Sequence, residues 1–215
     1  MINIEKLEKT FPKPWINQVR KIYDESASKT HNRRFFTQPG EYANRSVKGK
    51  IPEKTRNDYF QNLLYGPNYA IIDYVIANKG EFKNTINVDS GCGMGLLSIF
   101  LDKIGITCLN YDNYSQIEQN YRDIEHSQTA NNLIDLYNKQ FERSVPPVLN
   151  KVHHKAHVVF CSGCTAIEPA ALLDAKLYLL DYSYIDHPYV PINFENYDEI
   201  YDYPTLIKVY RKKEK

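Results

Sequence analysis

Residues 88–100, Val88-Asp-Ser-Gly-Cys-Gly-Met-Gly-Leu-Leu-Ser-Ile-Phe100, set the tightest limit on this chain's fold. Ile86–Asp89 reads as a short strand. Glycines at 91, 93 and 95 then let the backbone turn tightly and leave room for a ligand to come close. Leu96, Leu97, Phe100, Leu101 and Ile104 fall on one face of a helix, and Gly105 is placed as its C-terminal stop. A strand that passes through a glycine turn into a helix opens a parallel α/β sheet. Its loop is delivered to the carboxyl edge, where such sheets bind ligands, and the helix beyond begins with free N–H groups. The spacing excludes two nucleotide loops. A dinucleotide fingerprint counted from Gly91 needs glycine at Leu96, and counted from Gly93 it needs glycine at Ser98. The Gly-Lys-Ser/Thr of a Walker A loop is absent.

The rest of the chain extends the same pattern. Ile106–Tyr111 is a second strand. Ser115 and Glu118 form a capping box for a helix carrying Ile117, Tyr121 and Ile124, and a further helix is expected over Asn132–Phe141. Val145–Val152 contains two prolines and therefore suits only an edge strand. His157–Cys161 and Lys176–Tyr182 are continuous apolar runs, as in parallel strands buried on both faces. Phe194–Tyr203 and Thr205–Lys212 read as two antiparallel strands. The predicted fold is α/β: a doubly wound, mostly parallel seven-stranded sheet with a C-terminal antiparallel hairpin. Residues 61–215 form this domain. Residues 1–60 read as an N-terminal helical and loop extension, with a helix over Trp15–Lys29. From 30 to 60 the chain lacks periodicity but holds His31, Arg33, Arg34, Phe35, Phe36, Tyr42 and Arg45, the composition of a lid over a site. Between them and the sheet, Asn57–Ala77 reads as helical with a break at Gly66-Pro67.

The glycine segment resembles motif I of the class I S-adenosylmethionine-dependent methyltransferases, whose pattern is acid-x-Gly-x-Gly-x-Gly. Here it is Asp89-Ser90-Gly91-Cys92-Gly93-Met94-Gly95. A second match does not depend on the glycines. The family carries an acidic residue at the end of the second strand, and here Asp112 closes that strand, 17 residues after Gly95. Carboxylate oxygens accept the hydroxyl protons of a ribose. The resemblance implies that Asp89 fixes the methionine amino end of S-adenosylmethionine. By the same resemblance the backbone of Ser90, Gly91, Cys92, Gly93 and Gly95 passes under the cofactor, Asp112 holds the ribose, and Asn113 lies beside the adenine. The loop Cys161-Ser-Gly-Cys164 would face the methyl group and the acceptor, with S-adenosylhomocysteine as product. The family's acidic residue after the third strand is not visible.

Methyl transfer requires alignment of a nucleophile and exclusion of water more than a fixed catalytic group, so no motif names the catalytic residues. Side chains expected at the ends of the fourth and fifth strands are Ser162, Glu168, Asp181, Tyr182 and Tyr184. No Asn/Asp-Pro-Pro-Tyr/Phe motif of base-amino methyltransferases is present, nor the paired-glutamate loop of protein arginine methyltransferases.

A formal charge of +1 disfavours an extended nucleic-acid surface, although Arg33-Arg34 and the tail Arg211–Lys215 are locally basic. The preferred partner is a small-molecule substrate. A methyltransferase acting on RNA or protein and a catalytically silent cofactor-binding partner are the alternatives. No run of about 18 apolar residues suggests a membrane span. Four cysteines do not make a disulfide framework, so a cytoplasmic setting is expected. His153, His154, His157, Cys161 and Cys164 lie close together, but a lone Cys-x-x-Cys lacks the second pair of a structural zinc site, so no metal is expected.

Overall fold

The computed structural model describes residues 1–28, 50–112, 121–162, 167, 169–185 and 191–214, without the side chains of 121–126, 183 and 184. Seven strands form one sheet: β1 (Asn87–Ser90), β2 (Leu109–Tyr111), β3 (Val148–Leu149), β4 (Val158–Cys161), β5 (Leu177–Asp181), β6 (Tyr197–Tyr203) and β7 (Ile207–Lys212). Their order is β3-β2-β1-β4-β5-β7-β6. β1 to β5 pair in parallel, while β7 lies antiparallel to β5 and to β6. This is the α/β sheet expected from the sequence, with its C-terminal hairpin. After β1 the chain moves outward to β2 and β3, then returns to β4 on the other side of β1. The strand order therefore reverses between β1 and β4, and the carboxyl edge at such a switch point is the usual ligand position in such sheets.

Helices α1 (Ile4–Thr10), α2 (Lys13–Ser28), α3 (Gly66–Ala77), α4 (Leu96–Lys103), α5 (Tyr121–Phe141) and the short α6 (Tyr182–Ile185) complete the regular elements, with a π-helical turn at Thr55–Tyr59. Pro67 occupies the first turn of α3, where its missing N–H costs nothing. Gly105 closes α4 with φ +80° and donates its N–H to the Asp102 carbonyl at 2.8 Å.

The sheet has a hydrophobic cluster on each face. The larger holds Val158, Phe160, Leu177, Leu179 and Val209 under side chains of α1 to α5. The smaller holds Val88, Val159, Cys161, Tyr178 and Leu180. In the described part of the β4–β5 connection this second face is covered by a 3-10 turn at Ala170–Leu172. Cα pairing of Asp89 with Phe160 and of Phe160 with Leu179 puts the Asp89 side chain on the helix-covered face.

The first 28 residues belong to the larger cluster. Phe11 and Trp15 meet Phe100 of α4, each at a centroid distance of 5.0 Å. Ser26 of α2 donates its hydroxyl to the Thr129 carbonyl of α5 at 2.6 Å. Ile51 and Phe60 are also buried in this cluster. The remainder of the expected lid, 29–49, lies outside the described residues, as does the Ser115–Glu118 capping box.

One expectation is corrected. Among the described residues after β2, one continuous helix, Tyr121–Phe141, covers the span where two helices were expected. Its polar residues serve the edge strand instead of breaking the helix. Asn131 Oδ1 accepts the Val148 N–H, and Asn138 both accepts the Val145 N–H and donates to its carbonyl, all at 2.8 Å.

Candidate cofactor site at the carboxyl edge

The site begins with backbone geometry. Gly91, Gly93 and Gly95 have φ of +73°, +52° and +71°, all in the left-handed region that side chains rarely adopt. The Tyr111 carbonyl at the end of β2 accepts the N–H of Gly91 at 2.9 Å and of Cys92 at 3.1 Å. The Gly95 N–H donates to the Cys92 carbonyl at 2.8 Å, which tightens the turn before α4.

The two sides of the turn differ. A Cβ added at Gly93 would meet nothing within 4 Å, so this position faces open space. A Cβ at Gly95 would lie 3.1 Å from Ile134 Cδ1, so this glycine is needed for packing. Beneath it, Asn110 Oδ1 accepts the Ser98 hydroxyl at 2.6 Å while Asn110 Nδ2 donates to the Pro146 carbonyl at 2.8 Å. Asn110 thus locks the start of α4 to β2 and to the approach to β3. Its part is not readable from spacing, because its partners are 12 and 36 residues away.

Two carboxylates flank the turn. Asp112, just past β2, accepts the Gly93 N–H at 2.9 Å through Oδ2, while its own N–H donates to the Leu149 carbonyl at 3.1 Å. It is therefore fixed relative to the glycine turn and also to β3. Asp89, within β1, is 1% exposed, and among the described residues neither carboxylate oxygen has a hydrogen-bond partner. Burial, reinforced by Asp112, pushes its carboxyl up to about 8. Burial and the same two carboxylates push the Cys92 thiol up as well.

The structure brings Asp89, Ser90, Gly91, Cys92, Gly93, Gly95 and Asp112 together at one end of β1 and β2. Asn113 lies outside the described residues. Cys161 ends β4 with its side chain fully buried on the face opposite Asp89. Ser162 and Asp181 follow Phe160 and Leu179 on the face that carries Asp89, and both are buried. Tyr182 turns to the C-terminal hairpin: its hydroxyl donates to Asp202, and Lys208 Nζ lies 5.7 Å from its ring centroid. Glu168, Cys164 and the Tyr184 side chain lie outside the described residues. His157, part of the His/Cys group, has a backbone task, since its Nδ1 accepts the Ile86 N–H at 2.9 Å.

These groups fit the two ends of S-adenosylmethionine. A buried carboxylate without a partner calls for a cation, and the open side of Gly93 admits a ligand to the backbone. No helix among the described residues is long and apolar enough to cross a membrane.

No family model and no curated protein matches the chain. Two crystal structures of magnesium protoporphyrin IX methyltransferase (ChlM) from Synechocystis PCC 6803 are similar in fold. The one with bound SAM is 13% identical and aligns over 89% of this chain and 95% of its own, with a TM-score of 0.48. The one with bound SAH is 14% identical over 77% and 70%, with a TM-score of 0.39. At these identities nothing about substrate passes from either structure to this chain.

Proposed function

We propose that this chain is an S-adenosylmethionine-dependent methyltransferase acting on a small molecule. The observation that carries the reading is the left-handed glycine turn, open above Gly93 and tied through its N–H to the carboxylate at the end of β2. The bound cofactor supplies a sulfonium methyl group that a nucleophile displaces in line. This chain's residues bind and orient it. Asp89 would hold the ammonium of the methionine half, the glycine backbone would pass beneath, and Asp112 would take the ribose hydroxyls; the adenine role expected of Asn113 falls outside the described residues. Ser162 and Asp181, on the same face of the sheet as Asp89, are the side chains nearest in topology to the acceptor position. An acceptor whose nucleophile keeps a proton needs a base there; one that has lost it needs only alignment.

A near-neutral charge supports a small acceptor over a polyanion. Cys92 and Cys108 are free thiols, which supports placement in the reducing cytoplasm. Thermal denaturation tests the cofactor reading. S-adenosylhomocysteine at about 100 times its Kd stabilises the folded state by about 2.7 kcal/mol, whereas NAD and ATP leave the midpoint unchanged. An equal rise with all three ligands, or none with any, counts against the proposal.

A further inference from the structure

Asp89 stands in an arrangement that ordinary folding does not favour. Its carboxyl is wholly buried and both oxygens lack hydrogen-bond partners. The ionisable groups that act on it or are perturbed by it all belong to its immediate surroundings. From beyond β2 comes Asp112, from the glycine turn Cys92, and from the approach to β2 the buried Cys108. On β4 its Cα partner is Phe160, and α4 contributes Ser98, already bonded to Asn110. Among the described residues, burial and the Asp112 carboxylate set its titration, with no lysine, arginine or histidine opposing them. A carboxylate in such a place loses its hydration and gains nothing in return. The neutral acid is the form that burial favours.

We propose that Asp89 carries a proton in the free protein and gives it up to solvent when the ammonium end of the cofactor arrives. The balance is simple: the Asp89 O–H bond breaks, the proton leaves to buffer, and the carboxylate that remains pairs with the ammonium, which keeps all its protons. Cofactor binding is then proton-linked. The protonated acid also explains how the unliganded fold tolerates the position, because it removes the charge that has no partner. The upward push on Asp89 is consistent with this, since it holds the acid form through neutral pH. The inference rests on the methyltransferase reading above, but its test separates the two.

The test is calorimetry of the full chain with S-adenosylhomocysteine, at about pH 6.5, in buffers of low and high ionisation enthalpy. The slope of observed heat against buffer enthalpy counts the protons. About one proton released per ligand is expected. The Kd should tighten about tenfold for each pH unit between about 6 and 7.5 and level off near 8. Asp89→Asn cannot release this proton, so any residual binding it shows should be free of the buffer effect. Should that variant bind too weakly to titrate, the wild-type slope and pH series decide alone. Binding with a heat independent of buffer and a flat pH series overturns the inference and leaves the cofactor reading standing. Absence of binding at every pH overturns both.

Discussion

At the scale of single residues, the glycine turn and its two carboxylates divide the work. A Cβ at Gly93 would meet nothing within 4 Å, so Gly93→Ala strains only the backbone, at roughly 1–2 kcal/mol. Cofactor affinity should fall by more than stability does, because the new methyl group stands in the ligand's path. Gly95→Ala should instead lower stability foremost, since Ile134 has to move as well. Asp112→Ala removes the acceptor for the Gly93 N–H and, on the proposed reading, the ribose contact. It should weaken binding by roughly 1.5–3 kcal/mol, with Asp112→Asn milder, and equal affinity of all three proteins would remove Asp112 from the site. Asp89 carries a pH signature without ligand. Its folded carboxyl lies near 8, above the ordinary carboxylate value, so its contribution to stability is fully present below about pH 4 and is lost as pH rises toward 8. Asp89→Asn should therefore gain on the wild type between pH 5 and 8, by roughly 1.4 kcal/mol per pH unit. A stability difference that does not grow with pH in unfolding titrations would contradict this account.

At the scale of elements, the sequence was legible wherever a local pattern carries the structure. The glycine turn, α4 with its Gly105 stop, the apolar runs of β4 and β5 and the hairpin of β6 and β7 all follow from period, composition and turn residues. Two features escaped for the same reason, namely that side chains spoke to distant backbone. Asn131 and Asn138 weaken a helix by propensity, yet their amides bond the chain around Val145 and Val148. Asn110 reads as an ordinary strand residue, yet it joins α4 to the approach to β3. Helices α1 and α2 gave the opposite lesson. The helical span of α2 was visible and that of α1 was not, and only the fold shows Phe11 and Trp15 packed on Phe100 of the helix that follows the glycine turn. Phe11→Ala should cost about 3–5 kcal/mol, as expected for a fully buried aromatic ring, and chemical denaturation measures it. A loss below about 0.5 kcal/mol would show that α1 is dispensable to the core.

At the scale of the whole molecule, one sheet edge gathers the chemistry. β1 and β2 end in the turn and its carboxylates, β4 and β5 end beneath Ser162 and Asp181, and the parallel strands point all of them the same way. The opposite face of the sheet and the N-terminal helices supply burial. The account depends on that edge holding S-adenosylmethionine, and a calorimetric titration of S-adenosylhomocysteine at neutral pH into wild type and Gly93→Val tests it most directly. The account predicts one site in the wild type and none in a Gly93→Val protein whose far-ultraviolet circular dichroism still reports the folded sheet. No binding to the wild type, or undiminished binding to the folded variant, would contradict it.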